Sequence, residues 1–245
     1  MINKEWNDLF KHYYITRREC YHLLTLILIF AFILSFDQWG TEIFSFSQGI
    51  LNFGSASIII AISLFIHDAA HRIVALKRRL KPEISINYYW IFFSLLIAII
   101  SKGNIKLYFG EYFSIKILSA HRLGHFRYHE SGDDLAAVAI AGPIASLLLG
   151  GFAYGLAQLL PNIPILGTLA RFSFAFAIMS FLPLPTLDGL IYFFYSRLTY
   201  IFVFGMLLGY VLWSLSGIQI AGSIILSIIT GCVAWWLFYT FWEAT

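Results

Sequence analysis

Charged residues are scarce in this chain, and their scarcity excludes a soluble globular protein. Of its 245 residues only 12% are charged while 60% are hydrophobic, and the mean hydropathy is +0.79. The formal net charge of +3 is modest and comes from short polar segments, which argues against a nucleic-acid partner. The composition therefore predicts an integral membrane protein whose surroundings are a lipid bilayer.

Cysteine is almost absent as well. Cys20 and Cys232 lie far apart, and the chain contains no CxxC spacing. This pattern argues against both a disulfide framework and a thiolate zinc site. Both residues are expected to be ordinary small apolar side chains.

Long apolar runs make up most of what remains, and several are long enough to cross a bilayer. They predict an all-α polytopic membrane protein with a single membrane-embedded domain (1–245) and about six transmembrane helices. The predicted spans lie near 22–36, 50–71, 135–160, 165–182, 200–215 and 218–242.

Three shorter features interrupt this pattern. The apolar segment 88–100 is too short for a full crossing, which favours a re-entrant or packed segment. The stretch 105–118 alternates around a central glycine and predicts a small β-hairpin. Pro183 and Pro185 break the span near 165–182, and irregular backbone at membrane depth is tolerated where it lines a cavity.

The basic residues indicate an orientation. Of the sixteen Lys and Arg residues, only Arg171 lies away from the side shared by the two termini, the 72–134 region and Arg197. The positive-inside rule therefore predicts a multi-pass protein of the cell membrane with cytoplasmic termini. Arg171, inside a predicted span, needs a carboxylate or a backbone partner.

One stretch combines an apolar run with ionisable residues. His67 and His71 are four residues apart, so on a helix their imidazoles share one face with Cβ atoms about 5–6 Å apart. Two such imidazoles can bind one tetrahedral metal, with Asp68 beside them as a base. The alternative is a polar cluster at a helix end, in which Asp68 pairs with Arg72 four residues on.

A third metal ligand has to come from elsewhere in the chain. Asp188 follows the proline break and lies between the two halves of an apolar span. Aspartate before glycine also favours a simple turn, which is the alternative interpretation. Imidazole and carboxylate ligands without a thiolate suit zinc.

A second histidine series has weaker support. His121, His125 and His129 recur every four residues and would form one stripe on a helix. Gly124 and the mixed charge around them favour an interfacial loop or short helix over a metal site.

Three motifs in order resemble those of the site-2 protease family of intramembrane zinc metalloproteases. They are HDAAH (67–71), AGPIAS (141–146) and SFLPLPTLDG (180–189). The similarity covers about 50–197 and leaves the C-terminal helices (200–242) outside it. It implies a zinc ion held by His67, His71 and Asp188, and hydrolysis of a peptide bond within the transmembrane helix of a single-span membrane-protein substrate.

The resemblance also implies roles for residues that differ from the family pattern. Asp68 stands where the family's glutamate is the general base, and its carboxylate is withdrawn by about 1.5 Å because aspartate is one methylene shorter. A displacement of about 1 Å can cost about a hundredfold in rate. Ser180 stands at the family's asparagine position, which implies substrate binding, and the 105–118 stretch could pair with an unwound substrate.

Two other functions fit the same residues. The chain could be a catalytically weak or inactive scaffold subunit of a membrane complex, which the Asp68 position favours. It could also be a metal-handling transporter that uses the broken span as an ion site. The chain shows no second copy of that broken span in its other half, which argues against the transporter.

Overall fold

The computed structural model describes residues 13–40, 44–78, 80–117 and 131–243, which form a mostly helical protein with one small sheet. In chain order the elements are α1 (Arg17–Ser35), α2 (Phe46–Lys77), β1 (Leu80–Ile86), α3 (Tyr88–Ile100), β2 (Glu111–Ile117), α4 (Gly132–Leu159), α5 (Pro164–Ser180), α6 (Asp188–Tyr195), α7 (Arg197–Leu215) and α8 (Ile220–Phe238), followed by a π-helical turn, Tyr239–Glu243.

Five helices within the described ranges are long and apolar enough to cross a membrane, namely α1, α2, α4, α7 and α8 with its π-helical turn. These helices are those of a multi-pass membrane protein. The sequence predicted about six crossings, and the remaining candidate is α5, which has 17 residues. Pro164 starts α5 at its first turn, and the chain leaves helical geometry after Ser180.

The two strands form an antiparallel sheet in which Leu80 pairs with Ile117 and Ile86 with Glu111. The prediction of a hairpin within 105–118 is therefore correct in that this stretch contains a strand, β2. It is wrong about the partner strand, which is β1, before α3. Residues before β2 turn the chain instead of pairing, because Lys102, Gly103 and Gly110 all have positive φ. The sheet thus joins segments that are separated by a whole helix.

Helix α3 explains why segment 88–100 does not cross as a helix. Its 13 residues span about 20 Å, less than the about 30 Å of hydrocarbon in a bilayer. The Asn87 side chain caps it by accepting hydrogen bonds from the backbone N–H groups of Tyr89 and Trp90. The start of α3 is consequently well defined, and it contacts the broken segment before α6.

Helix α4 begins at Gly132, three residues before the span predicted near 135–160 and ten residues before Gly142. Asp133 and Asp134 lie in its first turn, where carboxylates stabilise a helix N-terminus. Gly142 and Pro143 are therefore inside the helix, and both are buried. This shift places Gly142 against the middle of the protein, beside α2.

The main core lies between α1, α2, α5 and the sheet. Its fully buried side chains include Leu26, Phe30, Ile60 and Leu64, which pack with Phe172. Helices α7 and α8 form a separate close pair, because a Cβ at Gly209 would meet Thr230. The core beside α2 is the part that surrounds the candidate site.

Candidate metal centre

Two histidines of α2 form one half of the site. His67 and His71 are 1% and 0% exposed, and the helix continues through both of them to Lys77. Aromatic rings cover them, with Phe176 at 4.8 Å from His67 and Phe113 at 4.1 Å from His71 between ring centroids. Buried imidazole nitrogens require hydrogen-bond partners or a metal ion, so the groups around these nitrogens indicate what the site can bind.

The irregular segment 181–187 brings Asp188 to the histidines. The Trp90 indole donates to the Pro185 carbonyl at 3.0 Å, and Asn87 donates to the Thr186 hydroxyl at 3.2 Å. Thr186 has a φ of 72°, a left-handed conformation that side chains rarely adopt, so these bonds hold a strained turn. Helix α6 then starts at Asp188 itself, which is 6% exposed.

Three ligand atoms converge at this point. The Nε2 atoms of His67 and His71 are 3.1 Å apart, and the Asp188 Oδ2 atom lies 3.6 Å and 3.3 Å from them, respectively. Tetrahedral coordination with bonds of about 2.0–2.1 Å separates neighbouring ligands by about 3.3 Å. These spacings fit the residues to a metal ion, and the triad predicted from the sequence is brought together as expected.

The other ring nitrogens orient the two imidazoles. The His71 Nδ1 donates to the Val138 carbonyl at 2.7 Å, so the neutral ring directs its Nε2 lone pair at the triad. The His67 Nδ1 is 2.9 Å from the Ser146 hydroxyl. Such partners on the distal nitrogen are typical of metal-ligating histidines. Both partners belong to α4, which therefore sets the ring positions.

Gly142 lets α4 approach the histidines this closely. A Cβ atom at this position would lie 2.6 Å from the His67 Nε2 and would overlap the His71 Nε2. Gly189 has a similar role beside Asp188, because its Cβ would overlap the carbonyl of Phe181. Gly142 thus allows α4 to contact the imidazoles, and Gly189 allows the start of α6 to pack against the backbone of Phe181.

Asp68 lies outside the triad, in a buried ion-pair network. Both of its oxygens accept hydrogen bonds from the Arg72 Nε, at 2.9 Å and 2.7 Å, and Asp68 is 1% exposed. Arg72 also donates to the Glu19 carboxylate at 2.6 Å. The i,i+4 pairing that the sequence left open as an alternative is therefore present, and the network links α1 to α2.

Replacing Arg72 with methionine should destabilise the protein strongly. The change leaves two buried carboxylates, on Asp68 and Glu19, without their cation, and breaking a buried ion pair costs about 3–5 kcal/mol. We expect a loss of that size in the free energy of unfolding, measured by chemical unfolding in detergent micelles.

The matched control is Arg78→Met. Arg78 also pairs with an aspartate, Asp134, but its side chain is 41% exposed. An exposed pair is worth about 1 kcal/mol or less. Equal losses in the two variants would show that the network around Arg72 has no special role in stability.

Glu111 is a site residue that sequence reasoning missed. It is the first residue of β2 and is 8% exposed, and among the described residues neither of its carboxylate oxygens has a hydrogen-bond partner. Burial raises its pKa well above the ordinary value, and the charges of Asp68 and Asp188 add to the effect. The signal in the sequence was a lone acidic residue within an otherwise apolar, alternating stretch.

A small pocket connects Glu111 with the triad. Its lining includes Glu111, His67, Asp188 and Ser180. The space in it that is open to the centre of a water molecule is about 10 Å³, roughly what a single water requires. The Ser180 hydroxyl donates to the Ala177 carbonyl at 3.2 Å, which leaves its oxygen free to accept.

Arg171 finds the expected backbone partner, since its Nε donates to the Gly167 carbonyl at 3.3 Å from an exposed position. The series His121, His125 and His129 lies outside the described residues.

Comparisons of this chain with protein-family models, curated proteins and solved structures found no match.

Proposed function

We propose that this protein is an intramembrane zinc metalloprotease, similar to the site-2 protease family, that hydrolyses a peptide bond within a transmembrane helix of a single-span substrate. The observation that carries the proposal is the buried convergence of His67, His71 and Asp188 next to a small pocket, with both histidines on a helix long and apolar enough to cross a membrane. Buried ionisable groups at membrane depth are costly and mark functional sites.

His67, His71 and Asp188 would hold the zinc ion. When bound, zinc polarises a substrate carbonyl and lowers the pKa of water. Ser146 and Val138 keep the two imidazoles in place through their distal nitrogens. The rings of Phe113 and Phe176 exclude bulk water from the ligands, which strengthens electrostatic interactions in the site.

The sheet supplies a surface for an unwound substrate. A peptide bond inside a helix has its carbonyl hydrogen-bonded, so the substrate helix must open before cleavage. Within the described residues β2 pairs with β1 alone, so its second edge can accept an extended segment as an added strand. Glu111 and Phe113 of this strand line the pocket, so a segment added at this edge would lie near the triad.

Ser180 is proposed to bind substrate. Its hydroxyl oxygen lies in the pocket lining and retains acceptor capacity, so it can receive a hydrogen bond from a substrate backbone N–H. The distribution of basic residues further supports cytoplasmic termini in the cell membrane.

A second candidate is a metal-bound scaffold without catalytic activity. The observation in its favour is that Arg72 binds both oxygens of Asp68, the residue at the position of the family's general base. A scaffold retains metal but cleaves nothing, so metal content and cleavage distinguish the two functions.

The test is cleavage of labelled single-span peptides by the full chain reconstituted in lipid vesicles. We expect zinc-dependent cleavage inside the membrane segment that stops on chelation and returns when zinc is added. Peptides with a Gly or Pro near the centre should be cleaved faster than all-leucine ones, because they unwind more easily. A zinc-loaded protein that cleaves none of these peptides would support the scaffold instead.

A further inference from the structure

Glu111 is a buried carboxylate that has no hydrogen-bond partner among the residues the structure describes. It is 8% exposed, and both oxygens lack a hydrogen bond within the described part of the chain. An unpaired buried carboxylate is costly, so native proteins keep one where a proton, a water molecule or a cation completes it. The burial of this carboxylate therefore indicates that Glu111 has a functional role.

The pocket gives that explanation. Glu111 shares its lining with the ligands His67 and Asp188, whereas Asp68 is not among the lining residues. The space inside suits about one water molecule. A water there would share the pocket with the Glu111 carboxylate and with two of the metal ligands.

Asp68 is poorly placed to take a proton. Both of its oxygens accept from the Arg72 guanidinium, at 2.9 Å and 2.7 Å. Because Arg72 occupies both oxygens and Asp68 is not part of the pocket lining, neither oxygen is directed at a water molecule in the pocket. The aspartate at position 68, where the resembling family has a longer glutamate, therefore fits a structural role: it binds Arg72, which links α2 to Glu19 of α1.

Glu111 also differs from the metal ligands. The ligand atoms of His67, His71 and Asp188 all lie within 4.8 Å of one another, and that group does not include Glu111. A carboxylate near a metal site but outside its ligand group is suited to act on a bound reactant through a water molecule.

We propose that Glu111, rather than Asp68, is the carboxylate that accepts the proton of the attacking water, an inference that rests on the proposed protease function. The water oxygen bonds to the substrate carbonyl carbon while its proton moves to a Glu111 carboxylate oxygen. The C–N bond then breaks, and the proton passes from Glu111 to the leaving nitrogen. One water and one peptide bond thus give one carboxylic acid and one amine.

The test uses acetohydroxamic acid as a probe of proton acceptance that does not depend on turnover. A hydroxamic acid chelates zinc with its two oxygens and gives its acidic proton to a neighbouring carboxylate. Its affinity is measured on the full-length, zinc-loaded protein in the wild type, Glu111→Gln, Asp68→Asn and Glu83→Gln. Zinc content is determined for every sample.

We expect Glu111→Gln to retain zinc and fold normally, because glutamine has the size and shape of glutamate and Glu111 is outside the group of metal ligands. Its affinity for the probe should fall about tenfold or more, the usual effect of losing a hydrogen bond to a charged group. Its kcat for peptide cleavage should fall by about 10²–10⁴, with KM little changed. Glu83→Gln, on β1 and outside the pocket lining, is the matched control and should match the wild type.

Three results would overturn the assignment. They are unchanged probe affinity in Glu111→Gln, a larger loss in Asp68→Asn than in Glu111→Gln, and loss of zinc from Glu111→Gln, which would make Glu111 a ligand. If Asp68→Asn does not fold, Asp68→Glu is used instead, because it keeps the charge opposite Arg72. Faster peptide cleavage by Asp68→Glu than by the wild type would then overturn the assignment, because it would show that the side chain at position 68 takes the proton. A wild type that binds the probe through Glu111 but cleaves no peptide would refute the protease function and leave Glu111 as the proton acceptor of the site.

Discussion

Replacing Asp188 with alanine should remove the bound metal, although this residue is far from the histidine pair in sequence. Its Oδ2 atom lies 3.3 Å from the His71 Nε2 and 3.6 Å from the His67 Nε2, so the change takes one of three protein ligands. We expect metal content to fall from about one ion per chain to near zero, with affinity lowered more than about 100-fold, beyond the usual cost of losing an outer partner. Metal analysis of the detergent-purified protein measures this directly.

Two further variants complete this experiment. His67→Ala removes another member of the triad and should give the same result as Asp188→Ala. His22→Ala is the control, because His22 lies on α1 and its Nδ1 donates to the Ile84 carbonyl at 3.0 Å, away from the triad. Full metal retention in Asp188→Ala would contradict the site as described.

Gly142→Ala should abolish metal binding without changing any ligand. The added Cβ would lie 2.6 Å from the His67 Nε2 and would overlap the His71 Nε2, so either the imidazoles or α4 must move. A movement of about 1 Å is enough to cost about a hundredfold in catalysis. We expect loss of metal and of cleavage together, measured by metal analysis and the vesicle assay.

The matched control is Gly54→Ala on α2. A Cβ at Gly54 would have no neighbour within 4 Å, so the substitution meets no obstacle. Alanine in an open helical position stabilises by about 0.5–1 kcal/mol relative to glycine. Gly54→Ala should therefore keep its metal with slightly greater stability. Normal metal binding by Gly142→Ala would show that α4 does not approach the histidines as closely as the structure has it.

Much of the architecture could be predicted from local sequence. Apolar runs determine helices long enough to cross a bilayer, because hydrocarbon leaves the backbone no partner outside the helix. The break at Pro183 and Pro185 follows from proline geometry, and the shared face of His67 and His71 follows from the helical period. These properties depend on residues a few positions apart. The length of α5, in contrast, is 17 residues, at the lower limit for a membrane-spanning helix, so sequence length alone does not determine whether it is a sixth crossing.

Contacts between distant segments could be predicted only where a motif suggested them. Asp188 was assigned to the histidines through its place in a broken span and a family resemblance, and the structure brings the three together. The pairing of Asp68 with Arg72 was predicted as an alternative to the metal site, and the structure contains this ion pair as well as the triad, with Glu19 as a third member of the ion-pair network.

The sequence by itself determined the membrane helices, the histidine pair and the chemistry of the metal ligands. Only the tertiary structure decided that β2 pairs with β1 across α3 and that Gly142 lies against the imidazoles. It also decided that Glu111 lines the pocket with no hydrogen-bond partner in the described part of the chain. The physical reason is range. Periodicity and proline geometry act over a few residues and can be recognised in a short stretch of sequence. Burial and electrostatic pairing depend on which distant segments pack together, and a short stretch of sequence does not contain that information.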